Sequence, residues 1–239
     1  MNTSPPATPR NGDRPAARTI AETTYGALKE DVLTGVMLPG QSLLTRELTE
    51  RYGCGISPLR EALARLVAEG LLEAVRHRGV RVPLPTVEDL NDIYRIRIAL
   101  EREALMLAMA HGDDHWEGQI LSAAHRLAHA PLPDSPASGP ALRDWEARHR
   151  AFHSSLIAAA PAPRLLRLIG QMVDQTERYR ALRLTQFTAD NIAGFVAEHD
   201  ALRDAVIARD PAAPEMLAEH FESSRRFVEA YLRDRPSGK

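Results

Sequence analysis

Histidine is the side chain whose chemistry lies nearest neutral pH, and three pairs of them stand four residues apart, two of which fall within a continuous helical stretch. His149 and His153 fall in a stretch with helical periodicity, so both rings leave one helix face and can reach a single metal ion. His125 and His129 share that spacing in a helix expected to be partly exposed, so spacing alone leaves both pairs open as ligands or as ordinary histidines. Glu146, three residues before His149 on the same face, can add a carboxylate. His111 and His115 are separated by the helix-breaking Gly112 and carry no such expectation.

A second chemistry is anion recognition. Ser57 is a good N-cap and Pro58 suits a first helical position, so a helix is expected from Ser57 to the stop at Gly70. Leu59, Leu63 and Leu66, with Ala62 and Val67, make one apolar stripe and leave Arg60, Glu61 and Arg65 off it. A short helix buried on one face, with an exposed arginine in its first turn, can lie in a DNA major groove. Two β-prone runs follow, Leu71 to Val75 and Val80 to Val82. They flank Arg76-His77-Arg78-Gly79, so a hairpin with a positive tip is expected.

The rest of the chain must hold these groups in place. With 239 residues, 44% of them hydrophobic, it can bury the cores of two domains and is no disordered chain. The net charge of −2 is uninformative, but residues 1–82 hold 11 Lys and Arg against 9 Asp and Glu while the remainder is acidic. That is weakly what a phosphate-binding N-terminal part would show. A single cysteine, Cys54, excludes an internal disulfide framework and suits a reducing cytoplasm. No uncharged apolar run is long enough to span a bilayer. Residues 1–18 lack the apolar centre of a signal peptide and read as a disordered tail, and 235–239 form a short C-terminal tail.

Thr19 with Glu22 makes a capping box for a first helix that ends at Gly35. Thr45 is the expected cap of a second, Arg46 to Tyr52, and Gly53-Cys54-Gly55 connects it to the helix beginning at Ser57. Three helices and a two-stranded wing over 19–82 make a winged helix-turn-helix. Pro83-Leu84-Pro85 stiffens a linker at 83–86, and Thr86 with Asp89 opens a new helix. From there to 234 no strand pattern or short repeat occurs. Six helices are expected: one to Gly112, Trp116 to Ala130, then about Ala141 to Ala159, Arg164 to Thr185, Ala189 to Ala208 and Ala212 to Asp234. The fold class is therefore mostly α, a winged helix-turn-helix joined to an all-α bundle.

This order of elements carries Leu38-Pro39-Gly40, Arg46-Glu47-Leu48, Pro58-Leu59-Arg60-Glu61-Ala62-Leu63, Glu69-Gly70-Leu71 and Arg78-Gly79-Val80. Further on come Arg97 with Leu100-Glu101, Phe152-His153, Glu198-His199 and His220. Together they resemble the GntR family of bacterial transcriptional regulators, in the FadR-type branch with an FCD ligand domain. The resemblance implies a homodimer that binds double-stranded palindromic operator DNA through Arg46, Ser57, Arg60 and the wing tip Arg76, His77 and Arg78. The family's usual Ser-Arg before Thr-Pro is here Gly55-Ile56, which implies a different or less arginine-dependent operator. Arg65 is expected to be a solvated helix-face charge.

The resemblance also implies a divalent metal held by His149, His153, His199 and His220, with histidine at 149 where the family has aspartate. Four imidazoles favour zinc or nickel. Arg97, which matches a cavity-lining position, and Arg178 are the candidates for binding the carboxylate of a small organic acid. The function implied is that of a cytoplasmic, metabolite-responsive regulator, a repressor and not an enzyme. Two rivals use the same residues. One is a helical metal-dependent hydrolase with Glu146 or Glu198 as general base. The other is a DNA-binding protein whose helical domain only dimerises around core histidines.

Overall fold

A computed structural model describes residues 19–76, 79–130, 140–184 and 189–234. Its N-terminal part runs α1 (Ile20–Leu33), β1 (Ser42–Leu43), α2 (Thr45–Tyr52), α3 (Ile56–Ala68), β2 (Glu73–Val75) and β3 (Gly79–Arg81). The expected capping box opens α1. Thr19 Oγ1 accepts from the Glu22 N–H at 3.1 Å, and the Glu22 carboxylate accepts from the Thr19 N–H at 2.8 Å. Thr24, Leu28 and Val32 then face inward.

The N-caps of the two following helices lie one and two residues, respectively, before the side chains that signal them. Leu44, not Thr45, is the N-cap of α2, and Gly55, not Ser57, is the N-cap of α3; neither offers a side-chain cap. The cause is the connector. Gly53 ends α2 in the left-handed region (φ +58°) and Gly55 is extended, which brings the chain into helical register at Ile56. Ser57 thus caps nothing. Pro58 still lies in the first turn, where a missing N–H loses no intrahelical bond. The stop is as expected. Gly70 adopts φ +72°, its N–H reaches the Val67 carbonyl at 3.1 Å, and the Leu71 N–H reaches Leu66 at 3.0 Å. This paired closure satisfies carbonyls that the helix end would leave open.

β2 and β3 form the expected antiparallel hairpin, with Val75 opposite Gly79. β1 joins the other edge of β3, with Leu43 opposite Val80, so the sheet order is β1-β3-β2. One apolar core lies beneath these elements, centred on Leu28, Leu59, Leu66 and Leu71, all fully buried.

Beyond the Pro-Leu-Pro segment the described residues are helical: α4 (Val87–His111), α5 (Asp114–Ala128), α6 (Pro140–Leu156), α7 (Pro163–Leu184), α8 (Ala189–Ile207) and α9 (Ala213–Asp234). Thr86 caps α4, accepting from the Asp89 N–H at 3.1 Å, and α4 ends at Gly112 as its sequence indicates. α4 packs on α7 and α9, and α5 packs on α6 and α8. Leu90, Leu105, Ile120, Phe152, Val206 and Leu217 are fully buried in this second core. No helix among the described residues is long and apolar enough to cross a membrane. The tails at 1–18 and 235–239 lie outside the described residues.

Candidate functional site

Three helices converge on four imidazoles. α6 presents His149 and His153 one turn apart, α8 brings His199 and α9 brings His220. One nitrogen from each lies within 4.8 Å of all the others. The four residues are 3%, 4%, 5% and 9% exposed, so they sit in the bundle interior and not on a solvated face. Trp145 stacks on His149 with ring centres 4.9 Å apart, and Phe195 packs on His199 at 3.9 Å, so the walls are apolar.

Hydrogen bonds fix two of the rings. His199 Nδ1 lies 2.7 Å from the Phe195 carbonyl. A carbonyl only accepts, so Nδ1 carries the proton and the lone pair is on Nε2. His220 Nδ1 lies 3.0 Å from Glu198 Oε2, an arrangement that orients a ligating imidazole and raises its basicity. The Nε2 atoms of His149 and His153 are 3.1 Å apart. Two imidazole nitrogens at that distance need a proton or a cation between them. Tetrahedral ligands about 2.0–2.1 Å from one zinc ion would lie roughly 3.3–3.4 Å apart, so this pair fits one ion closely. The donor set is all-nitrogen and borderline, suited to zinc or nickel.

Glu146 is not in this set; it lines a separate cavity of about 320 Å³ between α1 and α6, with Lys29, Arg143 and Arg150. The cations there are already matched: Arg143 with Glu30 at 3.7 Å, Arg150 with Glu177 at 2.7 Å, and Lys29 with Asp174. The larger space therefore lacks an uncompensated charge to draw a carboxylate. His125 and His129 face solvent, and no third ligand joins them into a group among the described residues.

Arg97 is 1% exposed, beside the histidines. Its Nε donates to Glu101 at 2.6 Å and its Nη1 to Thr176 Oγ1 at 2.9 Å, while its Cζ stands 4.1 Å over the Phe221 ring. Between Arg97, Glu101, His149, Arg150, His153 and Val173 is a void of about 10 Å³. That is room for about one water. Arg178 is not brought to this point. One position after Glu177 on α7, it turns toward the start of α4, with Nη2 3.6 Å from Asp89 Oδ2. Burial lowers its pKa, partly offset by Tyr179 and Asp89.

The sequence reading missed Glu101 as a charge partner, although it stands one turn from Arg97. It missed Arg150, next to His149 in the chain, and took Glu198 as a possible base when it supports His220. Burial works against the charge on Arg150, but the Glu177 and Asp174 carboxylates outweigh it and raise its pKa.

On the other domain, Arg46, Ser57, Arg60 and Arg76 are all exposed. The Arg46 side chain is 90% exposed and pairs with Glu50 at 3.2 Å. His77 and Arg78 lie outside the described residues. Arg65 is not a plainly solvated charge: its guanidinium lies 3.7 Å over the Tyr25 ring and its Nε donates to Glu69 at 3.0 Å.

Comparison with known proteins agrees with this geometry. Residues 20–82 match the family model of bacterial regulatory proteins, gntR family, and residues 92–223 match the FCD domain. The HTH-type transcriptional repressor GlaR of Escherichia coli is 37% identical over 199 residues, 82% of this chain and 90% of that protein. The uncharacterized regulator BphR of Paraburkholderia xenovorans is 35% identical over 217 residues, 90% of this chain and 87% of the relative. The structure of Escherichia coli McbR/YncC superposes with a TM-score of 0.76 at 22% identity, over 90% of this chain and all of that one. A putative GntR regulator from Rhodococcus sp. RHA1 gives 0.70 at 19% identity, over 90% of this chain and 99% of that one, and both likenesses speak for the fold. The chain belongs to the GntR family of bacterial transcriptional regulators, with an FCD domain behind its winged helix-turn-helix.

Proposed function

We propose that this regulator is a cytoplasmic repressor. It binds a palindromic operator as a homodimer and is modulated by a small organic acid at the histidine site. In this reading residues 19–82 bind DNA, 83–86 act as the hinge, and 87–234 bind the effector and dimerise. One observation carries it: four buried histidines from three helices offer nitrogens within 4.8 Å, inside the helical domain of a DNA-binding protein. GlaR, similar over most of its length, is named a repressor, which supports that sign of regulation.

His149, His153, His199 and His220 would hold a zinc or nickel ion, which would act as a Lewis acid toward one carboxylate oxygen if its coordination expanded beyond the four imidazoles. The protein groups do the rest. Glu198 orients His220, the Phe195 carbonyl orients His199, and the aromatic walls keep water from competing. Arg97 is the nearby cation for a carboxylate, already half-engaged by Glu101. Arg46, Ser57, Arg60, Arg76, His77 and Arg78 supply phosphate and base-edge contacts, the arginines being suited to bidentate recognition. By linkage, an effector that weakens operator binding must itself bind more weakly to the DNA complex.

The test is selection of bound sequences from a random DNA pool by the full chain, followed by affinity measurement. A two-fold symmetric site occupied by two chains is expected, with affinity changed by a carboxylate in the presence of zinc. Binding that is only salt-sensitive and sequence-blind, unmoved by any carboxylate, would contradict the proposal.

A further inference from the structure

One turn of α7 touches both ends of the regulator. The Asp174 carboxylate, 4% exposed, is shared by Lys29 of α1 and Arg150 of α6. Gln175 Nε2 donates at 2.7 Å to the main-chain carbonyl of Glu69, which is the C-cap of the recognition helix α3. Thr176 Oγ1 accepts from Arg97 at 2.9 Å, and Glu177 accepts from Arg150 Nε at 2.7 Å. Two of these consecutive residues grip the DNA-binding domain. The next two reach groups beside the histidines.

The grip on α3 is close. A Cβ at Gly70 would stand 2.8 Å from Gln175 Nε2, so the tip of the Gln175 side chain is seated directly against the end of the recognition helix. Glu69 is held from its other side as well, accepting from Tyr25 Oη at 2.6 Å and from Arg65 Nε at 3.0 Å. The end of α3 is thus clamped between α1 and α7.

At the site end, the void of about 10 Å³ beside His149 and His153 is walled on the α7 side by Ile169 and Val173. It admits about one water. A carboxylate group entering it must push apart α6 and α7. A metal fixing His149 and His153 also fixes the α6 turn that carries Arg150, whose two acceptors are on α7. A helical turn moves as a unit, because its backbone is internally hydrogen-bonded. Displacing α7 at Val173 therefore shifts Asp174 and Gln175 against α1 and α3.

We propose that the turn Asp174 to Glu177 transmits occupancy of the histidine site to the recognition helix, with Gln175 and Asp174 as its positioning residues on the DNA-binding side. This rests on the reading of the histidines as a metal site.

The test is amide hydrogen exchange on the full chain, stripped with chelator and then given one equivalent of zinc. In the wild type, zinc should slow exchange in α6, α8 and α9. It should also slow exchange at least about fivefold in peptides from α1 and the second half of α3, the lower end of ordinary coupling between sites. In Gln175→Ala, zinc affinity and protection of α6, α8 and α9 should persist while the effect on α3 is lost. Asp174→Asn, nearly isosteric, should behave likewise and decides the matter if the alanine variant does not fold. Protection of α3 that survives in both variants overturns the coupling. So does a wild type in which zinc protects α6, α8 and α9 alone, and either result leaves the metal site standing. A wild type that takes up no zinc overturns both.

Discussion

Glu198 Oε2 lies 3.0 Å from His220 Nδ1, one of four imidazoles that each offer a nitrogen within 4.8 Å of the others. Removing the carboxylate leaves all four rings in place but releases the orientation of one. Glu198→Ala should therefore weaken zinc binding by about 10–100-fold without unfolding the protein, as seen generally when an outer-sphere partner is lost. Competition with a coloured chelator measures it. Unchanged zinc affinity would show that Glu198 is only a surface charge.

The buried pair Arg97 and Glu101, 1% and 2% exposed at their side chains, makes a sharper stability test. Arg97→Met strands a carboxylate in the core and should cost about 3–5 kcal/mol. The double variant Arg97→Met with Glu101→Leu removes both charges and should recover most of that loss. Urea unfolding of the four proteins closes the cycle. Independent, additive losses would contradict the pairing.

Acid should weaken the start of α5. The Trp116 N–H donates to Asp113 Oδ1 at 2.9 Å, which holds this carboxyl below its ordinary value of 3.8. A lowered folded-state pKa means that the charge contributes stability above the ordinary value and that the contribution is lost as pH falls through the folded value. Asp113→Asn keeps an N-cap but not the charge. It should unfold at a slightly lower temperature than wild type at pH 7, with the gap closing below about pH 4. A gap independent of pH would contradict the assignment.

Ile56, the first residue of α3, is 56% exposed. The apolar feature offered by the major groove is the thymine methyl. Replacing one thymine of a selected operator by uracil should cost wild type about 0.8 kcal/mol, roughly fourfold in affinity, and Ile56→Ala almost nothing. Equal losses in both proteins would exclude the contact.

Helical spacing put His149 and His153 on one face without separating them from His125 and His129, while the stop at Gly70 and the cap at Thr86 follow from residue type, a local rule obeyed locally. Ser57 misled for the same reason. It is a good cap residue, yet the left-handed Gly53 sets the helical register at Ile56. β1 is two residues long and has no alternation to display, so pairing with β3 alone defines it. Arg178 was ambiguous because the helix direction that separates it from Glu177 depends on which face α4 covers. The grip of Gln175 on Glu69 joins residues from different domains, and no period or motif encodes it.

Metal content tests most directly whether the four histidines form a metal centre. Protein purified without an affinity tag and without added metal should carry one zinc or nickel per chain by elemental analysis, and His153→Ala should carry none while remaining folded. No metal in either, even after zinc is offered to folded and DNA-binding wild type, would contradict the account and make the four imidazoles a structural core.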